Sequence, residues 1–316
     1  MSALLQFDGL ERAALPAKPL HLAIGIFDGV HRGHQAVIAS AIRAARQDGG
    51  LAGVLTFWPH PSTVFRPESP TRLLMTPAMK RAVLGRLGLD FIIEQPFSRE
   101  FAAIEARGFV AFLRRHLPHL AAVYVGENWR FGRDRAGDIA LLLEEGRKAG
   151  VAVFSTPQSS DLGAVISSSR IRNLLVAGAI AEANTLLGYA YFAEGVVVPG
   201  RQLGRTIGFP TLNLAWEPEL KPAYGVYAVE VSSPRNQSLR GVANYGLRPT
   251  VEQTTRPLLE VHLLEPSPLT YGDKLTVKWL HFLRPESKFG SVEELRAQIE
   301  KDRQDARKFF QEWTVR

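Results

Sequence analysis

The chain has no cysteine among its 316 residues, which removes disulfides, thiolate catalysis and cysteine-ligated zinc or iron–sulfur centres together. That composition fits a reducing compartment, and a cytoplasmic location is expected. Long apolar runs are also lacking: the stretch richest in Ala and Leu, Asn173 to Ala193, is broken by Glu182 and reads as amphipathic helix rather than as a membrane span. The first dozen residues carry Asp8 and Glu11 and no basic start followed by an apolar core, so no secretory signal is expected. There is no block of Lys and Arg, no basic helix and no stacking-aromatic motif. The net charge of +7 therefore reads mainly as a basic soluble surface, with neither nucleic acid nor membrane as the expected partner. Internal repeats and low-complexity linkers are missing as well.

What is present is globular: 46% hydrophobic and 22% charged residues. A chain of 316 residues exceeds the roughly 250–300 at which single cores stop growing, so two domains are expected. From Leu20 to about Leu187 short apolar runs (LHLAIGIF, LAGVLTF, DFIIEQ, AAVYVG, VAVF) alternate with helical patterns, which predicts a doubly wound parallel sheet of Rossmann-like type. Val37, Ile38, Ala41, Ile42 and Ala45 share one helical face, Gly49-Gly50 ends that helix, and Thr76-Pro77 opens another. After about Gly188 the chain reads as short strands broken by Gly and Pro, predicting a small antiparallel β-barrel. Ser291-Val292-Glu293-Glu294 then opens a terminal helix with a capping-box pattern. The expected boundary divides residues 1–187 from 188–316 and rests on this change of texture alone.

Chemistry concentrates first in GIFDGVHRGH, residues 25–34, at a strand-to-helix junction, where free amide donors and the helix dipole favour an anion. Gly25, Gly29 and Gly33 permit close backbone approach to a ligand, and His31 and His34 offer imidazole donors to phosphate oxygens. A Walker loop would need Lys and Ser or Thr after the glycines, so this is a nucleotide site of another type. Helix-capping polar residues, or part of a metal site without an evident third ligand, are the competing readings of the two histidines. GIFDGVHRGH resembles the ATP signature of the nucleotidyltransferase superfamily, and ISSSRIR, from Ile166, is similar to its second signature. TFWPHP at 56–61 and VGENWRFGRDRAGD at 125–138 resemble the FMN adenylyltransferase domain of bacterial bifunctional FAD synthetases. Ser169 and Trp129 stand where that family usually has Thr and Phe. The resemblance implies that His31 and His34 stabilise charge on ATP, that Gly25, Phe27, Asp28, Gly29 and Gly33 line the phosphate site, that Ser167, Ser168 and Arg172 clamp the leaving group, and that Asn128 positions the reacting phosphates. Phe57 and Trp58 suit a flavin-lining role and a core role equally well.

The second concentration is GRQLGRTIGFPTLN, residues 200–213, whose glycines permit a close loop and whose Thr211 and Asn213 offer oxygens to a hard cation such as Mg²⁺. Alone it reads better as a Gly-rich hairpin between two strands, with Pro210 as an edge-strand marker. GVYAVEV, GVANYGLRPTV, LLEVHLLE, YGDKLTV and LRPESKFGSVEEL follow in order and resemble the riboflavin kinase family. By that resemblance Gly204, Arg205 and Gly208 contact ATP, Thr211 and Asn213 hold Mg²⁺, and Glu260 takes the proton of the riboflavin hydroxyl. The chain departs from the family at Tyr189-Ala190-Tyr191, at Val198-Pro199-Gly200 and at Glu265, around the flavin pocket. A solvated Glu260 on an alternating strand is the competing reading. The implied substrates and products are ATP, riboflavin, FMN and FAD. A barrel that binds flavin without kinase activity stays open as an alternative, as does assembly into a homo-oligomer.

Overall fold

The computed structural model describes residues 4–200, 207–234, 236–247 and 257–313. Its contacts divide the chain into two compact units, Met1–Ser168 and Ser169–Arg316.

The first unit is built on a six-stranded parallel sheet in the order β1-β4-β3-β2-β5-β6, with β1 Leu5–Asp8, β2 Leu20–Ile24, β3 Leu51–Trp58, β4 Phe91–Pro96, β5 Leu120–Gly126 and β6 Ala152–Thr156. The doubly wound expectation holds, and β1 is an edge strand that the sequence reading did not anticipate. With four mostly exposed residues it carries little of the apolar signal by which a strand is read. The helices are α1 Arg32–Asp48, α2 Pro61–Phe65, α3 Pro77–Gly85, α4 Arg99–Ala102, α5 Phe109–His116 and α6 Ile139–Ala149. Val37, Ile38, Ala41 and Ala45 of α1 are buried, while Ile42 is only half-buried at the margin of that stripe. Gly49 ends α1 in the left-handed region at φ 72°, and Thr76 caps α3 by accepting the Met79 N–H at 3.2 Å. All five residues of β2 are buried, because a central parallel strand is covered on both faces. Running outward from β2 the chain order reverses between β2 and β5, which makes the carboxyl ends of these two strands a topological switch point. At the opposite end of β2, His21 lies 2.9 Å from Tyr124 Oη and 2.8 Å from the Asp48 carboxylate. Burial and that carboxylate push the Tyr124 phenol up to about 12.

A short hairpin, β7 Ser160–Asp161 with β8 Ala164–Val165, precedes α7 Ser168–Val176. The second unit continues with α8 Ile180–Leu187 and closes a six-stranded antiparallel barrel. Its strands are β9 Phe192–Val198, β10 Leu212–Leu214, β11 Gly225–Ser233, β12 Asn236–Leu247, β13 Pro257–Leu263 and β14 Lys274–Pro285, in the order β10-β13-β12-β11-β14-β9. Residues 169–187 fall with this unit because α7 and α8 dock on the barrel: the Ala223 N–H donates to Leu175 O, and Asn184 donates to Trp279 O. Trp216, Tyr227, Tyr245 and Trp279 fill the interior, with Tyr227 and Trp279 edge to face at 4.5 Å. Burial raises the phenol pKa of both Tyr227 and Tyr245.

The terminal helix α9, Val292–Trp313, presses Ala306 and Phe310 against Val226, Ala228, Val242 and Leu280. Ser291 Oγ accepts the Glu294 N–H at 3.1 Å, but the reciprocal bond goes from Gly290 N–H to the Glu294 carboxylate at 2.8 Å, one residue earlier than a capping box has it. Arg284 of β14 grips Asp302 through two bonds of 2.8 Å, and Asp302 is 3% exposed. Removing one partner of a buried pair strands the other charge. Asp302→Ala is therefore expected to destabilise the barrel unit by about 3 kcal/mol, read as a lower denaturant midpoint.

Candidate active sites

The turn after β2 carries the first site. Its backbone enters the left-handed region at Phe27 (φ 51°), Gly29 (φ 81°) and Val30 (φ 37°). Glycine accepts that conformation freely, whereas for a β-branched residue such as Val30 it is strained. The turn delivers His31 as the N-cap of α1, where its Nδ1 accepts the His34 N–H at 3.3 Å. With Nδ1 accepting, a neutral His31 ring carries its proton on Nε2, as a donor. The His31 and His34 rings stack at 3.6 Å and 18°, and a Cβ on Gly33 would meet the His31 ring at 3.2 Å, so Gly33 leaves the room this stack needs. Phe27 is 2% exposed and backs His34 edge-on at 5.3 Å, packed where a Cβ on Gly25 would sit. Burial, and then the nearby charges of His31 and Lys80, hold the His34 pKa well below the usual imidazole value. His34 Nδ1 is buried without a hydrogen-bond partner among the described residues.

The second signature reaches this turn. Ser168 Oγ donates to Asp28 O at 2.9 Å, with Ser167 just before it and Arg172 one helical turn along α7. The Asp28 carboxylate accepts the Leu74 N–H at 3.0 and 3.2 Å, so this acid braces the turn. Asn128, exposed, follows the carboxyl end of β5 at the same switch point, beside Trp129, which stacks on Phe131 at 4.8 Å. Phe57 is 8% exposed and packs on Phe97 and Phe101, a core position, whereas Trp58 is 38% exposed. Phe57, Trp58, His60, Asp28 and Lys80 nonetheless all line one small cavity.

Lys80 was not singled out from the sequence. It is 6% exposed on α3, with Nζ 3.0 Å from Thr56 Oγ1, 3.4 Å from Phe57 O and 3.5 Å from Ile26 O. Burial lowers its pKa, and the Glu94 and Asp28 carboxylates oppose that. A signal did exist: Lys80 shares the apolar face of α3 with Met79, Val83 and Leu84, where a lysine is out of place unless it is partnered.

On the barrel, cross-strand register assembles the second candidate site. Asn213 of β10 pairs with Glu260 of β13, and Glu260 in turn pairs with Asn244 of β12, so the three form one row across three strands. Leu259 and Val261 point inward and are fully buried, which puts half-buried Glu260 on the outer face. Asn213 is nonetheless 5% exposed, with its amide filling the space that a Cβ on Gly200 would take. Thr211 stands two residues before Asn213. His262, two residues beyond Glu260, lies 2.9 Å from Pro210 O and ties the Gly208–Thr211 segment to the strand that carries Glu260. Burial lowers the His262 pKa. Gly204 and Arg205 lie outside the described residues. Asn244 was missed because a row across three strands exists only once register is set. Among the described residues no group of three or more His, Asp or Glu is arranged to hold a metal ion. Asn213 faces Glu260 across the β10–β13 pair, and the side chains of Thr211, Asn213 and Glu260 all carry oxygens, the donor type that Mg²⁺ prefers.

Comparison with known proteins divides the chain in the same order. The FAD synthetase family model matches residues 15–170 and the riboflavin kinase family model matches residues 187–310. A bifunctional riboflavin kinase/FMN adenylyltransferase of Escherichia coli K12 is 39% identical over 93% of this chain and 94% of its own length. Proteins of the same name from Listeria monocytogenes and Bacillus subtilis are 38% and 34% identical, each over 92% of both chains. A crystal structure from Streptococcus pneumoniae, named as a macrolide-efflux protein, superposes with a TM-score of 0.87 at 30% identity, covering 96% of this chain and 98% of that one. No helix among the described residues is long and apolar enough to cross a membrane. Both matched segments keep the chain order of the two candidate sites, and relatives at 34 to 39% identity span more than nine-tenths of the sequence: the chain belongs to the bifunctional riboflavin kinase/FMN adenylyltransferase family.

Proposed function

We propose that the chain makes FAD in two ATP-dependent steps, with residues 188–316 phosphorylating riboflavin and residues 1–187 adenylylating the FMN formed. The observation that carries the adenylylation half is the bond from Ser168 to the Asp28 carbonyl, which joins the two signatures at the switch point beside the stacked His31 and His34. In that step an FMN phosphate oxygen attacks the α-phosphorus of ATP, the bond to the β-phosphate breaks, and pyrophosphate leaves. The His31 Nε2–H donates to phosphate oxygens as charge builds. His34, held neutral, offers a second imidazole to the same phosphates. Gly25, Gly29 and Gly33 admit the phosphates, Ser167, Ser168 and Arg172 hold the leaving group, and Asn128 orients the attacking phosphate.

In the kinase step the riboflavin 5′-hydroxyl attacks the γ-phosphorus of ATP, Glu260 takes the hydroxyl proton, and ADP leaves. Gly204, Arg205 and Gly208 belong to the loop proposed to cover the phosphates. Thr211 and Asn213 would hold Mg²⁺, which supplies positive charge to the phosphate oxygens when bound. Riboflavin, FMN, FAD and ATP are the proposed ligands, and the cytoplasm is the proposed location. Purified protein given riboflavin, ATP and Mg²⁺ is expected to accumulate FMN and then FAD, and a chelator is expected to stop both steps. Formation of neither flavin nucleotide would sink this reading.

A further inference from the structure

The turn that presents His31 is held in an unfavourable backbone conformation. Phe27 and Val30 both sit at positive φ, 51° and 37°, a conformation that is costly for any non-glycine residue. Such strain persists only where the surroundings over-determine it, and the contacts that do so converge just before these residues. Ile26 O accepts from Thr56 Oγ1 at 2.9 Å and lies 3.5 Å from Lys80 Nζ. The Lys80 ammonium also reaches Thr56 Oγ1 at 3.0 Å and Phe57 O at 3.4 Å. Thr56 is fully buried and Lys80 nearly so. Thr56 therefore gives its single proton to Ile26 and accepts one from Lys80, and the ammonium reaches Thr56 and Phe57 at the carboxyl end of β3 and Ile26 in the turn after β2.

These backbone and hydroxyl oxygens hold the buried ammonium in place, and a lysine is expensive to bury. A methionine on α3 would fill the same volume without that cost, so packing does not account for this residue. Its charge stands close enough to His34 to lower the imidazole pKa, which puts it within electrostatic reach of the site.

We propose that Lys80 is a positioning residue for the adenylyl transfer: with Thr56 it clamps the Ile26 carbonyl, fixes the strained turn and so sets the place of the His31–His34 pair. The proposal rests on the adenylyltransferase reading of the first unit. Misplacement by about 1 Å at a reacting centre can cost on the order of 100-fold in rate. For Lys80→Met the kcat of FMN adenylylation is expected to fall by about 10- to 100-fold and the KM for ATP to rise, because the phosphate cradle itself is displaced. Riboflavin phosphorylation by the same chain should be unchanged. Thr56→Val, which keeps the lysine charge and removes only the hydroxyl link, is expected to shift both constants in the same direction by less.

Lost folding would look different. Fewer active molecules would lower the apparent kcat in step with the folded fraction, leave the KM for ATP alone, and be recovered by cooling. That pattern overturns the proposal, and so does a Lys80→Met protein that adenylylates FMN at close to the wild-type rate with an unchanged KM. If the wild-type chain fails to make FAD from FMN, the functional reading fails with it, and that outcome is visible before any variant is compared.

Discussion

Glu260→Gln is expected to lower riboflavin phosphorylation by about 10²–10⁴-fold, the usual contribution of a positioned general base. FAD formation from supplied FMN should be unchanged. The substitution keeps the size of the side chain and its capacity to accept hydrogen bonds, and removes only its ability to take a proton. Glu260 stands on the outer face of the barrel between Asn213 and Asn244, half-buried, in a row of oxygen-bearing side chains fixed by strand register. A kinase rate that survives the change would return Glu260 to the role of a solvated charge on an alternating strand. A loss of both activities would instead mean that the substitution disturbed folding, which a denaturant midpoint would reveal. Measuring the two half-reactions separately on one preparation distinguishes the three outcomes.

Replacing both histidines of the first site, His31→Gln with His34→Gln, is expected to abolish most FMN adenylylation while riboflavin phosphorylation continues. Removing one preorganised donor to developing charge costs about 10²–10³-fold, and groups acting as a unit are not additive, so a combined loss on the order of 10³-fold is expected. The stacked rings make a second prediction, on stability. His34 is held neutral in the folded protein by burial and by the charges of His31 and Lys80, whereas in the unfolded chain it would titrate near its ordinary value. Folding therefore excludes a proton: the stability from a neutral His34 is fully present above about pH 6.5 and is lost as the pH falls toward the lower folded value. Between pH 7 and pH 5 the urea midpoint of the first unit should fall more in the wild type than in His34→Gln. Equal slopes would show that His34 is not held neutral in the folded state.

Much of this was legible in the sequence because it depends on local rules. Thr76 and Pro77 opened α3, Gly49 closed α1, and the apolar spacing of Val37, Ile38, Ala41 and Ala45 set the buried face of α1. These outcomes are decided within a few residues of chain, where capping and periodicity act. The edge strand β1 escaped because an exposed four-residue strand leaves hardly any apolar pattern. Lys80 left a trace, a charge on an apolar helical face, but its meaning depended on Ile26 and Thr56, which lie far from it in sequence and close to it only across the sheet edge.

By itself, then, the sequence determined the order of the two units, the doubly wound and barrel classes, and the strand-to-helix position of GIFDGVHRGH, since each follows from periodicity, turn chemistry and motif. Tertiary structure alone decided which groups meet. It joined Ser168 to Asp28 across some 140 residues, stacked His31 on His34 over a turn with unfavourable backbone angles, aligned Asn213, Glu260 and Asn244 across three strands, and turned the Asp28 carboxylate onto the Leu74 N–H. The physical reason is range. Capping and periodicity are set by near neighbours, whereas register and burial become defined only when distant segments exclude water together, and the placement of charge at both candidate sites depends on them.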